Sequence, residues 1–218
     1  MSILSDSQRR ILSCIAEEDA VTRRFYLSGG TALAEYYLQH RLSEDLDFFS
    51  EEEFEPQAIS SFFKKIQKRA GIRTISYEQS FNRNLFFLDL DNDRIKTEFT
   101  YFPFPRIERG GKEGKLEVDS LLDIAVNKLF TIHQKPRSRD FIDLYCILQK
   151  EKSWSIDDLA KKVRIKFDHV VDILQLGAQF AKSETLKDYP KMLAPVMESE
   201  WQSFFMREAK RIVKAQLE

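Results

Sequence analysis

Apolar residues near the start of the chain recur at three- and four-residue steps: Leu12, Ile15, Ala16 and Ala20. With Ser5 or Asp6 in front as a cap, this spacing predicts a helix within residues 5–24. A short apolar run, Phe25-Tyr26-Leu27, then meets Ser28-Gly29-Gly30, and the Ala/Leu/Tyr-rich stretch 31–40 reads as helix. Residues 25–40 are therefore expected to form a strand, a glycine turn and a helix. At 43–49 the period changes to two. Leu46 and Phe48 alternate with Asp45 and Asp47, which places both acids on one strand face. Residues 55–70 carry Phe62, Phe63 and Ile66 among lysines and predict an amphipathic helix. Further strands are expected at 72–77, 85–90 and 94–102. The last two flank Asp91-Asn92-Asp93 as a hairpin, since Asn and Asp tolerate left-handed turn geometry. Pro103 and Pro105 stop it.

Beyond Gly110-Gly111 the pattern becomes helical. Residues 116–135 carry Leu121, Leu122, Ala125, Leu129 and Phe130 on one stripe, Pro136 interrupts, and 139–149 form a second helix. The remainder, 155–218, reads as helix with breaks near 152–153 and 190. The order predicts an α+β fold: a small mixed β-sheet flanked by helices over 1–110, then a C-terminal helical bundle over 111–218 packed on that core.

Composition narrows the function. At about 150 residues per domain, 218 residues make one large domain or one with a helical extension. The 18 Phe argue for a packed interior and against disorder. With 34 Lys+Arg against 35 Asp+Glu, the chain is not a strongly basic nucleic-acid binder, although local basic clusters such as 64–69, 106–115 and 161–166 remain available. No apolar run approaches the roughly 18 residues of a membrane helix, and the first residues lack a signal-peptide pattern, so a cytoplasmic protein without membrane contact is expected. Isolated Cys14 and Cys146 fit free thiols in a reducing compartment. Scattered His40, His133 and His169 give no zinc spacing, and His40 and His133 read as helix-surface or cap residues.

The candidate chemistry centres on acids. Two carboxylates on one strand face repel each other unless a cation sits between them. Alone, Asp45 and Asp47 are equally a solvated face or a turn, which is how Asp89, Asp91 and Asp93 read. The context of Asp45 and Asp47 is richer. Gly29-Gly30 stands upstream between a strand and a helix start, where bare backbone N–H groups favour phosphate, although an ordinary tight turn has the same composition. Lys96, Glu98 and Thr100 share one face of the 94–102 strand. If that strand pairs near 45–49, Glu98 supplies a third carboxylate, enough for two Mg²⁺ ions and in-line displacement at phosphorus. The helical half adds Lys128, Arg137, Arg139, Asp140 and Asp143, which could face a triphosphate or solvent.

Taken together, GGTALAEYYLQHRLSEDLDFFS (29–50), KTEF (96–99) and DSLLDIAVNKLFTIHQKPRSRDFIDLY (119–145) resemble the AbiEii/AbiGii nucleotidyltransferase toxins, members of the polymerase β-like, minimal nucleotidyltransferase superfamily. The specific signal is the spaced set of GG, RxSxDLDF, KxE and RDxxDLY over about residues 20–150. The resemblance implies a nucleotidyltransferase-type sheet. It also implies an enzyme of EC 2.7.7 type that moves a nucleoside monophosphate from an NTP to an RNA (tRNA) or protein acceptor, with Mg²⁺ or Mn²⁺. Asp45, Asp47 and Glu98 would hold the metal, Glu98 serving as base or ligand. Gly29, Gly30, Thr31 and Lys96 would face phosphate, Lys128 would contact it, and Arg139, Asp140 and Asp143 form the last motif. Gly30 stands where the wider superfamily usually has Ser, one hydroxyl donor fewer. A toxin role with a separate antitoxin protein follows from the same resemblance. The alternative is a catalytically inactive nucleotide- or partner-binding protein of the same fold.

Overall fold

The computed structural model describes residues 2–217. They divide into two compact units, Met1–Tyr37 with Leu42–Ser120, and Leu38–Arg41 with Leu121–Glu218.

The first unit opens with helix α1 (Asp6–Glu17), started by Ser5: its hydroxyl accepts the Gln8 N–H while the Gln8 side chain accepts the Ser5 N–H. A short α2 (Asp19–Thr22) leads to strand β1 (Tyr26–Ser28), which passes directly into α3 (Gly29–Leu33). A single wide π turn follows at Ala34–Leu38, so the helix expected at 31–40 is two short pieces. Strand β2 (Asp45–Ser50) comes next, then α4 (Pro56–Ala70), with Pro56 in its first turn and left-handed Gly71 (φ +72°) ending it. β3 (Thr74–Ser80), β4 (Arg83–Asp89) and β5 (Arg94–Tyr101) follow, then β6 (Arg109–Glu113) and β7 (Leu116–Asp119).

The seven strands form one mixed sheet in the order β3-β4-β5-β2-β1-β7-β6. β4 and β5 are the expected antiparallel pair, joined by the acidic turn at 90–93. Residues 116–119 are a strand and not the first turn of a helix. Leu116 and Val118 alternate into the core, and Tyr26 and Leu27 pair with Glu117 and Val118 in parallel. The two-residue period of these four positions runs straight into the helical period after Ser120, which hides it.

β2 shows how the sheet divides its faces. Leu46, Phe48 and Ser50 are buried, while Asp45, Asp47 and Phe49 lie half-buried on the other side. On the inner face Phe48 stacks on Phe99 at 4.8 Å, and Phe25, Phe63 and Phe86 crowd round them. This aromatic cluster fixes the pleat, and the pleat fixes which way the acids point.

The second unit contains α5 (Leu121–Gln134), α6 (Ser138–Lys150), α7 (Ile156–Phe167), α8 (Ile173–Ala181) and α9 (Glu198–Leu217). Phe141, Phe180, Trp201 and Phe205 are its buried aromatic centre, with Phe141 and Phe205 4.7 Å apart. Among the described residues, no helix is long and apolar enough to cross a membrane. His40 and His133, expected at a helix surface or cap, are both buried, and His133 lies in the last turn of α5.

Candidate active site

β2 lies parallel to β5 in a register that sets Asp45 opposite Lys96 and Asp47 opposite Glu98. The pairing expected near 45–49 is therefore present, and it puts Asp45, Asp47, Lys96 and Glu98 on one face. On its other side β2 pairs antiparallel with β1, and Ser28 stands opposite Asp47. The residue after Ser28 is Gly29, with φ +71°. A Cβ at Gly29 would stand 3.1 Å from Cβ and Cγ of Asp47 and closer still to Oδ2. Glycine is thus required twice over, by its left-handed backbone and by the carboxylate packed against it. The glycine turn and the acid pair, 16 residues apart in the chain, are one structure.

Thr31 ties the same parts together. It is fully buried, and its hydroxyl donates to the Asp45 carbonyl oxygen, holding α3 on the first residue of β2. Ser28 donates to Asp119 Oδ2 at 2.6 Å, anchoring the end of β1 to β7. Tyr36 and Tyr37 donate to Glu113 Oε2 and to the Asp119 carbonyl oxygen.

The face carries cations as well as acids. Lys96 Nζ lies 2.6 Å from Asp45 Oδ2, both side chains being about a third exposed. Glu98 is 6% exposed and is gripped by Arg83 of β4, Nε on Oε1 at 2.6 Å and Nη2 on Oε2 at 2.5 Å. The Thr100 hydroxyl adds a third bond to Oε1 at 2.9 Å. Burial pushes the Glu98 carboxyl up, but the guanidinium and the hydroxyl outweigh it and hold Glu98 below its ordinary value. Glu98 is therefore ionised at neutral pH and is a poor proton acceptor. Among the described residues, no three His, Cys, Asp or Glu side chains are gathered closely enough to hold a metal ion. The acids on this face nevertheless offer carboxylate oxygens, the chemistry that suits a hard divalent cation.

The helical unit holds a second charged cluster. Lys128 of α5 reaches Asp140 Oδ1 and Asp143 Oδ2 of α6, each at 2.7 Å. Arg41 forks onto Asp143, Nε to Oδ1 at 2.6 Å and Nη2 to Oδ2 at 2.8 Å, and His40 Nε2 meets Oδ1 at 2.8 Å. Burial raises the Asp143 carboxyl, but Lys128 and Arg41 dominate and hold it well below its ordinary value. Burial lowers the Lys128 ammonium, and the two aspartates more than restore it. Two cations and two carboxylates balance, which is how charges persist in a dry interior. Arg139 is exposed.

Sequence reasoning gave no role to Arg83 or to His40 and Arg41. Arg83 had a signal: it shares strand parity with Leu85, which stands opposite Glu98. Arg41 lay inside the RxSxDLDF motif, but only the fold brings it to Asp143, 102 residues away.

A glycine turn packed on a strand-borne pair of aspartates, within a mixed sheet joined to helices, defines a nucleotidyltransferase fold. Two solved structures from Helicobacter pylori share it. A candidate nucleotidyltransferase superposes with a TM-score of 0.61 at 21% identity, covering 99% of each chain. JHP933 gives 0.58 at 22% identity, covering 96% of this chain and 90% of its own. An uncharacterized protein of Aquifex aeolicus, aq_aa25, is 29% identical over 218 residues, covering 98% of this chain and all of its own. Residues 10–212 match the model of the AbiEii nucleotidyl transferase toxins of type IV toxin–antitoxin systems, and the chain belongs to that family.

Proposed function

We propose that the protein transfers a nucleoside monophosphate from an NTP to a hydroxyl of an RNA or protein acceptor, as the toxin of a system whose antitoxin is a separate protein. The observation that carries this reading is the single sheet face on which Asp45, Asp47 and Glu98 stand beside Lys96 and the Gly29 turn. In the reaction the acceptor oxygen bonds to the α-phosphorus, the bond from that phosphorus to the β-phosphate oxygen breaks, and pyrophosphate leaves. Asp45 and Asp47 are the residues to hold Mg²⁺ or Mn²⁺, with Glu98 beside Asp47. A divalent ion held there would supply positive charge to the phosphate oxygens as the new bond forms.

The chain's own groups do the rest. Gly29 makes room for the Asp47 carboxylate against the turn, and the N–H groups of Gly29 and Gly30 are the candidate phosphate donors. Thr31 acts behind them by fixing Asp45. Lys96 holds Asp45 in place and brings a positive charge to the face. In the helical unit, Lys128, Arg139, Asp140 and Asp143 carry the remaining family motif, and the burial of Asp143 gives it an anchoring role.

The test is transfer itself. Each α-³²P-labelled NTP is incubated with the protein, Mg²⁺ and total bacterial RNA, beside an Asp45→Asn control. Label that moves to RNA or protein, and fails to move in the control, is the expected result. Nucleotide binding without transfer of label to any acceptor would favour the inactive binding protein.

A further inference from the structure

Glu98 is the best-packed acid of the candidate site, and its partners limit what it can do. An ionised carboxylate offers about four lone-pair positions. Three are taken: Arg83 Nε and Thr100 Oγ1 on Oε1, and Arg83 Nη2 on Oε2. A fork of this kind is among the stronger side-chain pairings, because both N–H vectors of a rigid, always-charged group fit a carboxylate at once. Arg83 is placed by β4, which is bonded to β5 from Arg83↔Thr100 through Asp89↔Arg94, and β5 carries Glu98. The turn before Arg83 is pinned as well, since Asn82 Nδ2 donates to the Tyr101 carbonyl at 2.8 Å. The guanidinium is not walled in: its side chain is 46% exposed, against 8% for that of Glu98. Charge from Asp45 and Asp47 also reaches it.

Asp45 is differently placed. It pairs with Lys96, a single flexible ammonium on a side chain 27% exposed. A lysine can swing aside to admit a divalent ion, whereas the arginine fork is held by two bonds and by the strand beneath it.

We propose that Arg83 is a built-in cation of the site: it keeps Glu98 out of metal coordination, so that the nucleotide-free protein holds one divalent ion at Asp45 and Asp47, and it presents its own positive charge to the triphosphate in place of a second ion. Glu98 is then a positioning residue, acting through Arg83. This rests on the nucleotidyltransferase reading of the acid face.

The experiment counts bound Mn²⁺ by electron paramagnetic resonance on the full-length chain without nucleotide. The wild type is expected to bind one ion. Arg83→Gln frees Glu98 and removes a repelling charge, so a second ion is expected, with tightening of about tenfold or more in the direction Coulomb's law gives. Arg83→Gln combined with Glu98→Gln is expected to return to one. A wild type that binds two ions of similar affinity overturns the proposal whether or not any variant folds. So does a folded Arg83→Gln protein with unchanged count and affinity. An Asp45→Asn/Asp47→Asn protein binding Mn²⁺ as the wild type does would overturn the acid-face reading itself, a separate failure.

Discussion

Gly29→Ala is the substitution whose consequence the geometry fixes most closely. An L-residue in left-handed backbone loses roughly 1–2 kcal/mol. Gly71, at φ +72°, has almost the same backbone as Gly29 at φ +71°, so both alanine variants should lose about that much stability. They differ in what the new methyl group meets. At Gly71 it comes 3.0 Å from Arg10 Nη1, the end of a flexible side chain that can move away. At Gly29 it meets the Asp47 carboxylate, which must retreat by about 1 Å to restore ordinary contact. A misplacement of that size in a reacting constellation costs on the order of a hundredfold in rate. Urea denaturation of the two variants should therefore give similar losses, while α-³²P transfer should fall about a hundredfold for Gly29→Ala and stay near wild type for Gly71→Ala. Equal transfer by the two variants would refute the claim that Gly29 exists to make room for Asp47.

Other outcomes follow from the same structure. Asp45→Asn and Asp47→Asn should each lower transfer by about 10²–10³-fold or more with little change in melting temperature, because both side chains are half-buried on a polar face; chelation of divalent ions with EDTA should stop wild-type transfer. Lys128→Met leaves Asp140 and Asp143 short of a cation in the interior and should cost about 3–5 kcal/mol in urea denaturation. The Asp143 carboxyl, held well below its ordinary 3.8, contributes stability that is complete above that value and is lost as pH falls through the lower folded value. Acid unfolding followed by circular dichroism should therefore show a shallower stability slope below about pH 4 in a variant lacking Asp143. Burial, with Asp143 nearby, pushes the Cys146 thiol up to about 12, so a maleimide at pH 8 should label it far more slowly than it labels the same cysteine in urea.

Much of the acid face is legible in the sequence. The alternation at 45–48 states that two aspartates share a face opposite Leu46 and Phe48, and parity puts Lys96 with Glu98. What one strand cannot state is its partner. The contact of Gly29 with Asp47 arises because β1 and β2 are antiparallel neighbours, and that of Asp47 with Glu98 because β2 and β5 are parallel ones. Parallel pairing joins distant segments and leaves no local signature. The misreading of 116–119 has a similar source: four residues are too few to establish a period, and the parallel partner of β7, β1, lies about 90 residues upstream. His40 looked like a surface residue because its partner, Asp143, is 103 positions away. Long-range polar pairing, such as that of His40 and Arg41 with Asp143, is what the chain hides best.

The central claim is that this face directs attack at the α-phosphorus. Parallel reactions with α-³²P and γ-³²P forms of the same NTP, each with Mg²⁺ and total bacterial RNA, test it most directly. The account predicts that the α label moves to acceptor while the γ label leaves as pyrophosphate. Transfer of the γ label to acceptor, or its release as inorganic phosphate without transfer of the α label, would contradict it.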